Sequence, residues 1–136
     1  MGGGAQDLLL TSGERTLFAD SSPAAVAAAE LLRQGNLSAA ISVLEMGLQS
    51  NRNDPEARIF LNNARAQQQG SPLSLAVVVP ISSNPNRAKE TLRGVAQAQE
   101  ELFQQGGIGG RLLRVVIADD GDNPERAAAV AKALVA

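Results

Sequence analysis

The stretch LSLAVVV at residues 73–79 decides the fold, because this apolar run has little polar alternation and stops at Pro80. Such a run is typical of a strand that is buried on both faces in a parallel sheet. A second run, LLRVVIA, follows at residues 112–118, and residues 87–105 between the two have helical apolar spacing. We therefore predict two parallel strands joined by a right-handed helical crossover.

A further helix is predicted over residues 125–135, after the acidic turn at residues 119–124. Asp122 or Asn123 can cap this helix, and Pro124 suits its first turn. The face expected to point inward is apolar and consists of Ala127, Val130, Ala131 and Leu134. Residues 72–136 are therefore predicted to form a partial parallel βαβα unit.

The chain before residue 70 has helical periodicity throughout, so the predicted fold class is α + α/β. Three helix starts are marked by a capping side chain, two of them with a following proline: Ser22 with Pro23, Asn36, and Asp54 with Pro55. The polar, glycine-punctuated stretch 67–72 indicates a domain boundary. We predict a helical unit at residues 21–69, preceded by a glycine-rich leader or linker at residues 1–20.

The composition excludes several classes of function. The 136 residues contain no His, Cys, Trp or Tyr, which excludes Cys/His zinc sites, haem ligation and nucleophiles that depend on His. Aromatic residues make up 2% and the net charge is −2, so neither base stacking nor attraction to a polyanion favours a nucleic-acid partner. We predict that the protein is not an enzyme and that it needs no metal or cofactor.

Polar side chains follow both strands of the predicted parallel pair. Ser82, Ser83 and Asn84 come after the first strand, and Asp119 and Asp120 come at the end of the second. Ligands of open α/β sheets bind beyond the carboxyl ends of parallel strands, where hydroxyls and free amides at a helix start can hold a small anion or carboxylate. Ordinary turn and capping chemistry explains the same residues equally well. The sequence leaves these two interpretations open.

Residues 23–68 resemble a tetratricopeptide repeat (TPR), with one helix pair and the first helix of the next. The turn Gln34-Gly35-Asn36-Leu37 carries the resemblance, and Arg52 stands where the repeat usually has a proline. Small residues at the matching positions let the backbones of crossing helices approach closely. The small and apolar positions of the repeat match Gly35, Leu37, Ala40, Leu44, Gly47, Leu48, Ala57, Leu61 and Ala64. A TPR-like hairpin is expected to pack on another element or on further copies, since a stable solenoid needs about three repeats.

Residues 73–136 resemble the opening of a type I periplasmic binding protein, with the branched-chain amino-acid receptors of ABC transporters as the closest group. A TPR-like segment ahead of such a domain is similar to cyanobacterial substrate-binding proteins. The segments that carry the resemblance keep the order and spacing of the family: LAVVVPI (75–81), LRGVAQA (92–98), GGIGGRL (106–112), VIADD (116–120) and AVAKALV (129–135).

By this resemblance the chain is the N-terminal fragment of a solute-binding protein, with an amino-acid-like small molecule and a membrane permease as partners. Ser82, Ser83 and Asn84 would then line the rim of the ligand pocket, whereas the turn that begins with Asp119 and Asp120 is mostly structural in the family. The implied compartment is periplasmic or otherwise extracytoplasmic, although the chain shows no signal peptide and a cytoplasmic location stays open. The alternative is a TPR-like protein–protein interaction module with an appended α/β segment.

The predicted sheet has too few strands to be stable alone. Two parallel strands are not independently stable, and both of their outer edges are open to pairing. Only two helices are predicted to cover strands that the sequence indicates are buried on both faces. We therefore predict that the isolated chain self-associates through its exposed strand edges.

Overall fold

The computed structural model describes residues 9–120, together with Glu125 and Ala128, which are both helical. Apart from these two residues, the helix predicted over 125–135 lies outside the described part of the chain. The described fold is α + β, with four helices and a small mixed sheet. The elements are β1 (Leu9–Thr11), α1 (Pro23–Arg33), α2 (Leu37–Ser50), α3 (Pro55–Gln69), β2 (Leu73–Val79), α4 (Pro85–Gln104) and β3 (Leu113–Asp119).

The described sheet has three strands in the order β1-β3-β2, so β3 is central. β2 and β3 are parallel, in a register that runs from the pair Leu73 and Leu113 to the pair Val79 and Asp119. This confirms the predicted parallel pair and its helical crossover through α4. β1 pairs antiparallel with the last three residues of β3, on the edge opposite β2.

The N-terminal segment is a correction to the prediction of a leader or linker at residues 1–20. Residues 9–11 form β1, and Phe18 is buried in the core. The backbone N–H of Leu17 donates to the Glu56 carboxylate at 2.9 Å, which ties this segment to α3. A strand of three residues is too short to produce a readable period, so only its pairing with β3 reveals it.

The three predicted helix starts at Ser22, Asn36 and Asp54 are confirmed by their capping bonds, whereas α4 begins at Pro85 after an Asn84 cap, two residues before the start predicted at residue 87. Each cap side chain accepts a hydrogen bond from the backbone N–H three residues later, which satisfies one of the donors that a helix start leaves open. The donor–acceptor distances are 3.2 Å at Ser22, 3.3 Å at Asn36, 3.0 Å at Asp54 and 3.3 Å at Asn84. Proline follows at the first helical position of α1, α3 and α4.

Two glycines of the helical unit serve different purposes. A Cβ atom at Gly47 would lie 2.3 Å from the Cβ of Ala24, so α1 and α2 cross as closely as the small residues predict. Gly35 has open space around it and a φ of 76°. Its role is therefore the left-handed backbone of the turn between α1 and α2, and the expectation of a close approach there is wrong.

One hydrophobic cluster spans the boundary predicted near residue 70. It contains Phe60 of α3, Leu92 of α4 and Ile117 of β3. The polar stretch 67–72 therefore marks a change of secondary structure, while the packing continues across it.

β2 differs from the prediction that both long strands are buried on both faces. In the described structure Val79 is the only buried residue of β2, and Leu75 and Val78 are 48% and 43% exposed. The helices α3 and α4 pack on β3, and among the described elements β3 is the one in extensive contact with β2. Position in the sheet explains the difference, because β2 is an outer strand of the described sheet.

Candidate functional site

The five predicted site residues lie together at the edge of the sheet where β2 and β3 end. Asp119 is the last residue of β3, and Ser82, Ser83 and Asn84 belong to the turn that leads from β2 into α4. The backbone N–H of Asp120 donates to the Val79 carbonyl oxygen at 3.2 Å, which keeps the two strand ends side by side. The parallel register of β2 and β3 is what brings the two segments to one edge.

A hydrogen bond joins the two halves of this candidate site. The Asp119 side chain is fully buried, and its Oδ1 accepts from the backbone N–H of Ser82 at 3.2 Å. The carboxylate thereby fixes the start of the turn, while Ser82, Ser83 and Asn84 are exposed above it. The chemistry available at the rim is two serine hydroxyls and an amide, which are groups that hold a small polar solute through hydrogen bonds.

Asn84 has a structural role that the capping interpretation predicts. Its Oδ1 accepts from the backbone N–H of Arg87, and its own backbone N–H donates to the Pro80 carbonyl at 2.8 Å. Turn and capping chemistry therefore accounts for Asn84. Ligand binding by Ser82 and Ser83 stays a prediction.

The sequence did not predict a groove between the helical unit and α4, which we call the junction groove. Two adjoining cavities of about 250 and 300 Å³ share Asn53, Pro55 and Arg93. The first cavity is lined by Arg52, Asn53, Pro55, Arg58, Arg93, Gln97 and Glu100. The turn between α2 and α3 forms one wall, and the middle of α4 forms the other.

Two of the positive side chains in the junction groove are held by acidic partners. The Arg58 guanidinium lies 3.2 Å from the Glu100 carboxylate, and both side chains are about one-third exposed. The Lys89 ammonium lies 2.8 Å from Asp20 and 5.3 Å from the centroid of the Phe18 ring. The hydrogen bond from Lys89 lowers the pKa of Asp20, which keeps this exposed carboxyl ionised.

A buried carboxyl group lies behind the second cavity of the groove. Glu56 accepts hydrogen bonds from the Leu17 backbone N–H and from the Ser21 hydroxyl, at 2.9 and 2.5 Å. Burial raises the pKa of Glu56, and these two hydrogen bonds oppose the rise only in part. The group connects the N-terminal segment to α3.

A buried amide cluster, formed by Asn63 and Gln99, joins α3, α4 and β3. The Asn63 amide donates to the Val115 carbonyl and accepts from the Val115 N–H, both at 2.8 Å. Gln99 donates to the Asn63 Oδ1 at 2.8 Å and to the Leu113 carbonyl at 3.0 Å. Val115 lies beyond the end of β1, so the Asn63 side chain takes the place that a neighbouring strand would occupy.

Neither a short motif nor hydrophobic periodicity in the sequence predicts the junction groove or the amide cluster. Arg52 and Arg93 lie in separate elements, and Asn63 and Gln99 are polar residues in the interior of two helices. Periodicity assigns such polar positions to solvent. The one available hint was Arg52, at the place where the TPR resemblance expects proline.

Two further properties can be stated for residues 9–120. Within that range, no cluster of three or more His, Cys, Asp or Glu side chains is arranged to hold a metal ion. None of the helices described there combines the length and the apolar character that crossing a membrane requires.

Comparison with known proteins adds no relative. No protein family, no curated protein and no solved structure matches the chain significantly.

Proposed function

We propose that this chain is part of a solute-binding protein of an ABC transporter, and that it binds an amino-acid-like small molecule without catalysis. The observation that supports the proposal most directly is the meeting of Ser82 and Asp119 at the carboxyl end of the parallel strands. Open α/β sheets bind ligands at this edge. The sequence resemblance to type I periplasmic binding proteins, over residues 73–136, agrees with this position.

In the proposed mechanism the edge of the sheet is one wall of a ligand cleft. The buried Asp119 carboxylate holds the backbone of Ser82, so that the exposed Ser83 hydroxyl stands at the rim. A second lobe would supply the opposite wall, and hinge closure of the two lobes would enclose the solute. The closed form would then deliver the solute to a membrane permease, from a periplasmic or other extracytoplasmic compartment.

The coding sequence downstream of codon 136 provides the first test. We expect an open reading frame that encodes a second α/β lobe. Calorimetric titration of the full encoded protein with a panel of amino acids, including leucine, isoleucine and valine, would then give the ligand class. A stop codon directly after codon 136 would contradict the transport proposal.

A bulky residue at the rim tests the location of the site. Ser83→Trp is expected to weaken binding of the best amino acid in that panel by at least about tenfold, roughly 1.4 kcal/mol. Ser83 is exposed, so the fold should tolerate the change. The matched control is Ser42→Trp at an exposed position of α2. Equal affinities of the two variants and the unchanged protein would exclude Ser83 from the rim.

The alternative function is a helical protein-interaction module, and an apolar depression on α1 and α2 favours it. A cavity of about 520 Å³ lies between Pro23 and Ala24 of α1 and Val43, Met46 and Gly47 of α2. Met46 is 69% exposed and adds a large apolar side chain to this depression. In this alternative residues 23–68 carry the function, and the α/β segment supports them.

A further inference from the structure

The first cavity of the junction groove concentrates positive charge in a chain whose net charge is −2. Its lining contains three guanidinium groups, on Arg52, Arg58 and Arg93, and only one carboxylate, on Glu100. Arg58 is paired with Glu100. Among the described residues, Arg52 and Arg93 are the two guanidinium-bearing residues of this lining that are in no ion pair.

Arg52 and Arg93 differ from the other positive side chains of the groove. Within residues 9–120, neither guanidinium makes an ion pair or a side-chain hydrogen bond, and both are exposed. Arg52 contributes only its carbonyl oxygen, which accepts from the Arg58 guanidinium at 2.6 Å. Arg52 and Arg93 line one cavity from opposite walls, since Arg52 belongs to the turn before α3 and Arg93 belongs to α4.

The acidic residues near the groove are engaged elsewhere. Asp54 caps α3 by accepting from the Ala57 N–H, and Asp20 is paired with Lys89. Glu56 directs its oxygens towards Leu17 and Ser21, away from the first cavity. Among the described residues, none of these carboxylates forms an ion pair with Arg52 or Arg93.

We propose that the junction groove binds a small organic anion, whose carboxylate or phosphate group is held between Arg52 and Arg93. Guanidinium groups bind both kinds of oxyanion through paired N–H donors, which gives the site its charge and directional specificity. The Asn53 and Gln97 amides line the same cavity and can donate further hydrogen bonds to the bound group.

The size of the groove sets the size of the ligand. Ligand sites for small molecules usually enclose roughly 300–1,000 Å³. The two adjoining cavities, of about 250 and 300 Å³, together fall at the lower end of that range. A molecule of the size of a dicarboxylate or a small phosphate ester fits this space better than a nucleotide or a peptide.

The position of the site gives binding a structural consequence. An anion between Arg52 and Arg93 would bridge the helical unit and α4, which otherwise meet here through the Arg58–Glu100 pair. Binding is therefore expected to tighten the packing between the two parts of the chain. This second site is separate from the sheet edge at Ser83.

Titration of the intact chain with succinate and with inorganic phosphate tests the proposal. We expect saturable binding of at least one of them, observed by calorimetry and by shifts of the amide signals of residues 52, 53, 93 and 97. The double variant Arg52→Gln with Arg93→Gln is expected to bind at least about tenfold more weakly. Preference between the two probes distinguishes a carboxylate site from a phosphate site.

The matched control is Arg15→Gln, which removes an exposed positive charge outside the groove. It should leave the affinity unchanged. Neutral succinamide should not bind. The proposal is overturned if neither anion binds saturably, or if Arg15→Gln weakens binding as much as the double variant, since the effect would then be general charge attraction.

Discussion

β2 and β3 each have seven residues, but the more apolar of the two strands, β2, is the less buried. β2 has six apolar residues out of seven, yet only Val79 is buried. β3 contains Arg114 and Asp119, yet four of its residues are buried. Apolar content therefore does not decide which strand becomes the core of this sheet.

The difference comes from what lies beside each strand. β3 has β2 on one edge, β1 on the other, and α3 and α4 packed on one face. Where β1 ends, the Asn63 amide takes over the pairing with Val115. β2 has β3 as its one extensive neighbour among the described elements, so its apolar side chains stay partly exposed.

The largest expected effect comes from removing the side chain that completes the pairing of β3. Asn63→Ala leaves the N–H and C=O groups of Val115 and the C=O group of Ser12 without this partner, and it removes one of the two acceptors of the Gln99 amide. Each buried polar group left unsatisfied costs about 1–3 kcal/mol, so we expect a loss of at least about 3 kcal/mol in the free energy of unfolding. Urea denaturation monitored by circular dichroism measures this loss.

The neighbouring residue provides the control for that experiment. Asn62 is also buried, but its amide only donates to Gln99 and Glu100, at 3.4 and 3.2 Å, and it does not touch the backbone of β3. Asn62→Ala should therefore be clearly milder. Equal losses for the two variants would show that the Asn63 amide is not what completes the strand.

A paired truncation measures the contrast between the two strands directly. Ile117→Ala in β3 creates a cavity at a fully buried position and is expected to cost about 2–5 kcal/mol. Leu75→Ala in β2 removes a side chain that is half exposed, so its cost should be below about 1.5 kcal/mol. Thermal and urea unfolding of both variants checks the order. A larger loss for Leu75→Ala would mean that β2 is covered in solution.

The smallest expected effect concerns the segment that follows β1 and holds it against β3. Burial raises the pKa of Glu56 above its ordinary value of 4.5, so the folded state binds this proton more tightly than the unfolded chain. The contribution of Glu56 to stability is therefore greatest below pH 4.5 and is lost as the pH rises through the raised pKa. The non-titrating variant Glu56→Gln should lack this loss.

Unfolding curves between pH 4 and pH 7 check the Glu56 prediction. The free energy of unfolding of Glu56→Gln, relative to the unchanged protein, should increase with pH across this window. Ser21→Ala sharpens the test, because the Ser21 hydroxyl lowers the pKa of Glu56 and its removal should steepen the pH dependence. A pH-independent difference between Glu56→Gln and the unchanged protein would contradict the assignment.

The sequence predicts the parts of this fold that depend on local chemistry. The caps at Ser22, Asn36 and Asp54 and the two long strands could be predicted, because a capping side chain at a helix start and an apolar run carry their signal within a few residues. β1 could not be predicted, since its three residues become a strand only through pairing with β3. The exposure of β2 likewise depends on its place in the sheet.

Of the two candidate sites, one could be predicted from the sequence and the other could not. Ser82 and Asp119 could be placed together in advance, because parallel strands put their carboxyl ends at one edge. The junction groove could not, because Arg52 and Arg93 are brought to one cavity by the packing of α3 against α4. No spacing between two such distant residues encodes that contact.

The amide cluster has a consequence for how this chain can be divided. Dividing the chain near Gly70 separates a helical part from an α/β part. Such a cut would remove from the α/β part the side chain that pairs with Val115. A chimaera that joins another helical unit to residues 73–120 therefore needs an asparagine at the position of Asn63 to keep the pairing with Val115. The helical part and the α/β part are in this respect one structural unit.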